Sequence, residues 1–160
     1  MIDLLLNQFD STLKQVEKAT ADIDDLRCAE MPSGLVNHPA WTLAHLCTAA
    51  AFVPLLLEVP GGGVTDDEMR RFGPGSQPAA DRGMYPPKTE LLARLTRLHA
   101  VSAEATRSRH TDYFGRPAPE QFRVFAPTVG HLVFYLLAVH ESYHLGQIAQ
   151  WRRAAGLKHP

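Results

Sequence analysis

The stretch "VGHLVFYLLAVHESYHLGQIAQW", Val129 to Trp151, decides how this chain is read. Its apolar residues Val129, Leu132, Val133, Leu136 and Leu137 recur at helical spacing and form one inward stripe. Continuing that spacing reaches His140, His144 and Gln147 before apolar character resumes at Ile148 and Trp151. Positions 140 and 144 differ by about 40° around a helix, and 147 returns to within about 20° of 140. Polar groups therefore stand where core is due. One buried imidazole is easily satisfied by a carbonyl, but two on one stripe plus an amide need a shared partner.

The partner has to come from the other helices. Ile2 to about Leu26 carries Leu5/Leu6, Phe9, Leu13, Val16 and Ile23 on one face. A second helix opens at "NHPAW", where Asn37 or His38 can cap and Pro39 suits the first turn. Its stripe runs Trp41, His45, Thr48, Phe52, Leu55 and stops before Pro60. A third spans Lys88 to about Arg107, with Leu91, Leu92, Leu95, Leu98 and Val101. The last runs from an N-cap at Thr128 to Ala155, with Gly156 as its stop. Residues 60–87 are rich in Gly and Pro, with one short helix at "TDDEMRRF". A connection of that length serves as a lid or crossover, or is a surface excursion. No segment alternates as a strand would, and no repeat appears. The expectation is an all-α four-helix bundle, a single domain over 1–160, with a long Gly/Pro-rich connection between helices two and three.

Composition narrows the function classes. With 16 basic and 17 acidic residues the formal charge is -1, so no strong field points to nucleic acid or anionic lipid. Arg107, Arg109 and the Arg152-Arg153 pair sit near helix ends, where cations favour the dipole. "MIDLLLNQFD" lacks the basic region and cleavage site of a secretory signal. The most apolar window, Leu46 to Val59, is too short to span a bilayer and contains Pro54. Cys28 and Cys47 suggest no disulfide framework. No membrane and no nucleic-acid partner is expected, and a cytoplasmic location is the default.

His140-Glu141-x-x-His144 has the H-E-x-x-H spacing of many zinc proteases. Those enzymes take their third ligand from residues further on. The position six after His144 is Gln150, and no acidic residue follows Glu141. A protease is excluded on this ground, and the third ligand must come from upstream. His45 is on the buried face of helix two; taken alone it also reads as a satisfied core histidine. Should helices two and four pack side by side, three imidazoles converge inside the bundle. Three neutral histidines leave a fourth position for water or substrate, as in catalytic zinc sites, and suit nickel or iron as well. Of the others, His131 points away, His99, His110 and His159 fall at outer or terminal positions, and His38 reads as a cap.

"NHPAWTLAHL" together with "HESYHLGQIAQWRR" resembles the DinB-like metal-binding four-helix-bundle superfamily. Members typically carry one histidine in a helix-two W-x-x-x-H-L pattern and two in a final H-x-x-x-H-x-G-Q pattern. The resemblance implies His45, His140 and His144 as metal ligands, the set that the stripes single out independently. The metal would be divalent: zinc first, with nickel, iron or manganese as alternatives. Gly146 would allow close helix approach or serve packing, and Gln147 would orient a ligand or metal-bound water or cap a carbonyl. Gln147 and Glu141 are the candidates for a catalytic part, although Glu141, about 100° from His140, only skirts the site. Trp151 reads as core. Characterised relatives include bacillithiol and mycothiol S-transferases and a mycothiol-dependent maleylpyruvate isomerase. The resemblance thus implies a small-molecule substrate, a low-molecular-weight thiol as cosubstrate, and a homodimer. The competing class is a non-enzymatic metal-binding or stress-associated protein. An open coordination position reached by a pocket favours the enzyme; a closed site favours the other.

Overall fold

The computed structural model describes residues 2–158, so the expectation for His159 lies outside the described residues. Four long helical segments build a bundle: α1 (Ile2–Thr20), α2 (Pro39–Leu56), α4 (Lys88–Ser108) and a final segment of α5 (Val129–Phe134), a π-helical turn (Tyr135–His140) and α6 (Glu141–Ala154). A short helix, α3 (Asp66–Phe72), lies in the connection after α2. No strand is present among the described residues, only two isolated bridges. α1 packs on α4 and α6, and α2 packs on the same two, so α1 and α2 are diagonal. The arrangement sets α2 beside α6, which is the neighbourhood the histidines require.

The stripes explain the packing. Leu6, Phe9, Leu13 and Val16 of α1 and Leu91, Leu95 and Leu98 of α4 are buried as their spacing predicts. α1 stops at Thr20 rather than running to Leu26, because the Asp24 side chain accepts from Leu26 N–H at 2.8 Å and starts a 3-10 turn, Asp25–Ala29. Ile23 still reaches the core from that turn. α2 is buried nearly all round, as befits the helix in contact with both neighbours and the connection. By length and composition Pro39–Leu56 could cross a membrane, but 83% of it is buried inside the bundle. His38 caps it, accepting from Trp41 N–H through Nδ1 at 3.3 Å.

Two expectations change here. His99, expected at an outer position, is buried and stacked on Phe9 with ring centroids 3.6 Å apart. α4 contacts both α1 and α2, so its covered arc is wider than one stripe. Arg152, read as a cation near a helix end, is also buried and pairs with Asp22 at 2.9 Å while donating to the Ala19 carbonyl at 2.9 Å.

Candidate metal centre

His45 projects from α2, His140 ends the π-helical turn and His144 sits one turn into α6. Their ring nitrogens converge: one donor atom from each lies within 4.8 Å of the others. His45 Nε2 is 3.0 Å from His140 Nε2. Tetrahedral coordination at about 2.0–2.1 Å would set such nitrogens about 3.3 Å apart. Two of the rings have their proton fixed by an oxygen that can only accept. His45 Nδ1–H donates to the Phe72 carbonyl at 2.5 Å, and His144 Nδ1–H donates to Gln147 Oε1 at 2.7 Å. Each Nε2 is thereby left with a lone pair. His140 Nδ1 is buried and has no hydrogen-bond partner among the described residues.

Burial decides the charge state. It lowers the pKa of all three rings, to about 3 for His140 and about 4 for His144, and the neighbouring imidazoles push the same way for those two. Near neutral pH three uncharged imidazoles face each other, so a divalent cation would be bound without displacing protons. The residues present therefore fit the group: neutral nitrogen donors, two of them in a fixed tautomer, and no carboxylate competing for a harder ion.

The long connection turns out to be structural to the site. Along α2, His38, Trp41 and His45 stand on one face, and their ring nitrogens meet Ala79 O at 2.9 Å, Ser76 Oγ at 3.1 Å and Phe72 O at 2.5 Å. The connection thus runs antiparallel down α2 in matched steps. α3 is anchored in turn by a capping box, Thr65 with Glu68, and by the Glu68–Arg94 ion pair to α4. Sequence reasoning missed this because the decisive acceptors are mostly backbone carbonyls, which leave no residue signature.

A π-helical turn, Tyr135–His140, precedes α6. Glu141, the first residue after that turn, faces His99 rather than the histidine cluster. Glu141 is buried and pairs with His99 Nε2 at 2.6 Å, away from the metal-ligand cluster, and it does not line the cavity. Desolvation raises its pKa, partly offset by His99. A Cβ on Gly146 would meet nothing within 4 Å, so this glycine permits no close helix approach. Trp151 is core, with Nε1–H donating to the Glu30 carbonyl at 2.7 Å. His131 and His110 are exposed. Cys28 and Cys47 are buried outside the cluster, and desolvation raises their thiol pKa values to about 11 and about 12.

A cavity of about 570 Å³ opens onto the three histidines. Trp41 stacks on His45 at 4.7 Å on one side, and Phe52, Phe122 and Tyr135 wall the other. Met69, Pro74 and Gly75 of the connection also reach it, so the segment covers part of the opening.

A helical bundle holding three neutral histidines from two facing helices at the end of a pocket defines a metal-binding helical protein. Residues 8–148 match the model of the DinB superfamily, and the chain belongs to that superfamily. No curated protein and no solved structure matches the chain.

Proposed function

We propose that this protein is a metal-dependent thiol S-transferase, joining a low-molecular-weight thiol to an electrophile. The observation that supports it most is access: the histidine cluster ends at a cavity rather than in closed core. A site sealed in the core would instead have favoured the non-enzymatic reading, although any metal site needs an entry path. His45, His140 and His144 would hold the cation, zinc being the first choice for neutral imidazoles and nickel, iron or manganese the alternatives. When bound, a divalent cation supplies an open position that lowers a thiol's pKa from about 8.5.

The chain's own residues do the rest. Phe72 and Gln147 hold protons on the outer nitrogens of His45 and His144, keeping the Nε2 lone pairs inward. Trp41 covers His45 and limits water on that side. Glu141 is committed to His99 and takes no proton from the substrate, so the thiol proton leaves to solvent. Sulfur then bonds to the electrophilic carbon as its leaving group departs. The thiol's polar body would lie at the mouth, beside Gly75 and Gln121. A homodimer is the form that the resemblance to the superfamily supports, and the cytoplasm is its default location.

The test is to load the protein with zinc, nickel, iron or manganese and assay bacillithiol, mycothiol, glutathione and cysteine against haloaromatic and bimane electrophiles. Thiol consumption should exceed that with His144→Ala protein. If no combination does so while the site is occupied, the transferase reading fails and the non-enzymatic one replaces it.

A further inference from the structure

A file of aromatic rings leads from the surface to the histidines. Phe52 lies 5.6 Å from Phe122, Phe122 lies 6.2 Å from Phe125, Phe125 lies 5.0 Å from Tyr135, and Tyr135 lies 5.8 Å from His140. These are the spacings of interacting rings. None of the four is fully covered: Phe125 is 54% exposed, and Phe52, Phe122 and Tyr135 are half-buried. Rings that served the core alone would be sealed, as Phe9 is at 2%.

The segment carrying two of these rings is built to hold them there. Val129 N–H donates to the Arg116 carbonyl at 2.9 Å and Ala118 N–H to the Pro127 carbonyl at 3.1 Å, closing the segment at its base. Ala126 N–H returns to the Phe122 carbonyl at 2.9 Å and shapes the tip. Phe122 and Phe125 are thereby turned over the cavity.

Charge is missing from the same wall. Among the described residues no Lys, Arg, Asp or Glu lines the cavity. Thr48 is spent on the Ala44 carbonyl, which leaves Gln121 and the two tyrosines as polar groups beyond the histidines. An anion entering the metal-free pocket would lose its hydration and find no cationic side chain to replace it. The volume of about 570 Å³ suits a molecule of drug-like size.

We propose that this pocket takes an uncharged aromatic compound, seated against Phe52 and Phe122 with its reactive end toward His45, His140 and His144. The inference rests on the enzymatic reading of the site, but its test needs neither thiol nor metal. A second apolar cavity, bordered by Leu4 and Val139, shares Phe125 and Tyr135 as a wall and has to be told apart from the first.

Fluorescence titration of the purified protein with N-phenyl-1-naphthylamine and with 8-anilino-1-naphthalenesulfonate compares the same rings without and with a charge. The neutral probe should saturate at one per chain, and the sulfonate should bind at least about tenfold more weakly for want of a partner. Ala49→Leu and Leu136→Trp narrow the pocket and should each weaken the neutral probe while the far-UV spectrum stays helical. Leu4→Ser and Val139→Ser should leave it unchanged. Equal or tighter binding of the sulfonate would overturn the proposal. So would loss of the neutral probe in the Leu4 and Val139 variants but not in Ala49→Leu. Probe binding without any thiol turnover would sink the transferase reading and keep this one. Turnover confined to a carboxylate-bearing electrophile, in protein that ignores the neutral probe, would do the reverse.

Discussion

The two halves of the metal-ligand cluster are held in different ways. On α6, His144 lies one turn after His140, and Gln147, which orients His144, lies less than a turn further on. That half assembles wherever the helix forms. On α2, His45 is oriented by Phe72, which is 27 residues away, and only because the connection docks along the helix at His38, Trp41 and His45. One half is local and the other depends on tertiary docking. Between them stands His140, whose Nδ1 has no hydrogen-bond partner among the described residues.

The largest expected effect tests whether both halves belong to one site. His45→Ala, His140→Ala and His144→Ala should each cut metal affinity by more than the roughly 10–100-fold typical of losing an outer-shell contact. Metal content of protein purified without a histidine tag reads this directly. Full occupancy in His45→Ala would detach α2 from the site and break the comparison.

Next come the orienting groups. Gln147→Ala removes the local acceptor of His144, and about a tenfold loss of metal affinity is expected. Gly73→Ala attacks the remote half: a Cβ there would collide with the Met69 carbonyl oxygen and force the end of α3, with Phe72, to move. A similar loss of about tenfold is expected, together with faster proteolysis within residues 60–87 that Gln147→Ala does not show. Unchanged affinity in Gly73→Ala would mean that docking of the connection does not set His45.

The same division explains what could be read from the sequence. The helical stripes gave away the four long segments, and the three histidines stood out because they interrupt those stripes. The short helix was legible too, since Thr65 and Glu68 form a capping box whose residues are visible in the chain. The His99–Glu141 pair was not legible, because each residue lies off the apolar stripe of its own helix and the two meet only across the packed bundle. Nor was the docking of the connection, whose acceptors at Phe72 and Ala79 are carbonyls that every residue has.

A smaller effect separates the rings by pH. In the unfolded chain a histidine titrates at about 6.5. In the fold His140 and His144 are pushed down to about 3 and about 4, His140 further because no hydrogen bond offsets its burial. Below about 6.5 the unfolded chain therefore binds more protons than the folded one, and stability falls as pH drops toward 4. Above about 6.5 these groups contribute no slope. The melting temperature of chelated protein should decline between pH 6.5 and 4, and less steeply in His140→Leu than in the parent. Identical slopes would show that burial of His140 is relieved by opening of the site.

The smallest effect concerns Gly146, inside the most recognisable motif of the chain. Its place between His144 and Gln147 suggests a demand for glycine, yet its backbone φ is not positive and a Cβ there would meet nothing within 4 Å. It is an exposed position within α6. Alanine there should stabilise the helix by about 0.5–1 kcal/mol, through lower backbone entropy in the unfolded chain and better helix propensity. For a chain of this size that is a rise of about 2–4 °C per kcal/mol in melting temperature. Metal affinity should not change, because Gln147 and His144 keep their contact. A loss of metal in Gly146→Ala with the fold intact would show that the local half needs space that this conformation does not use, such as room for a bound substrate.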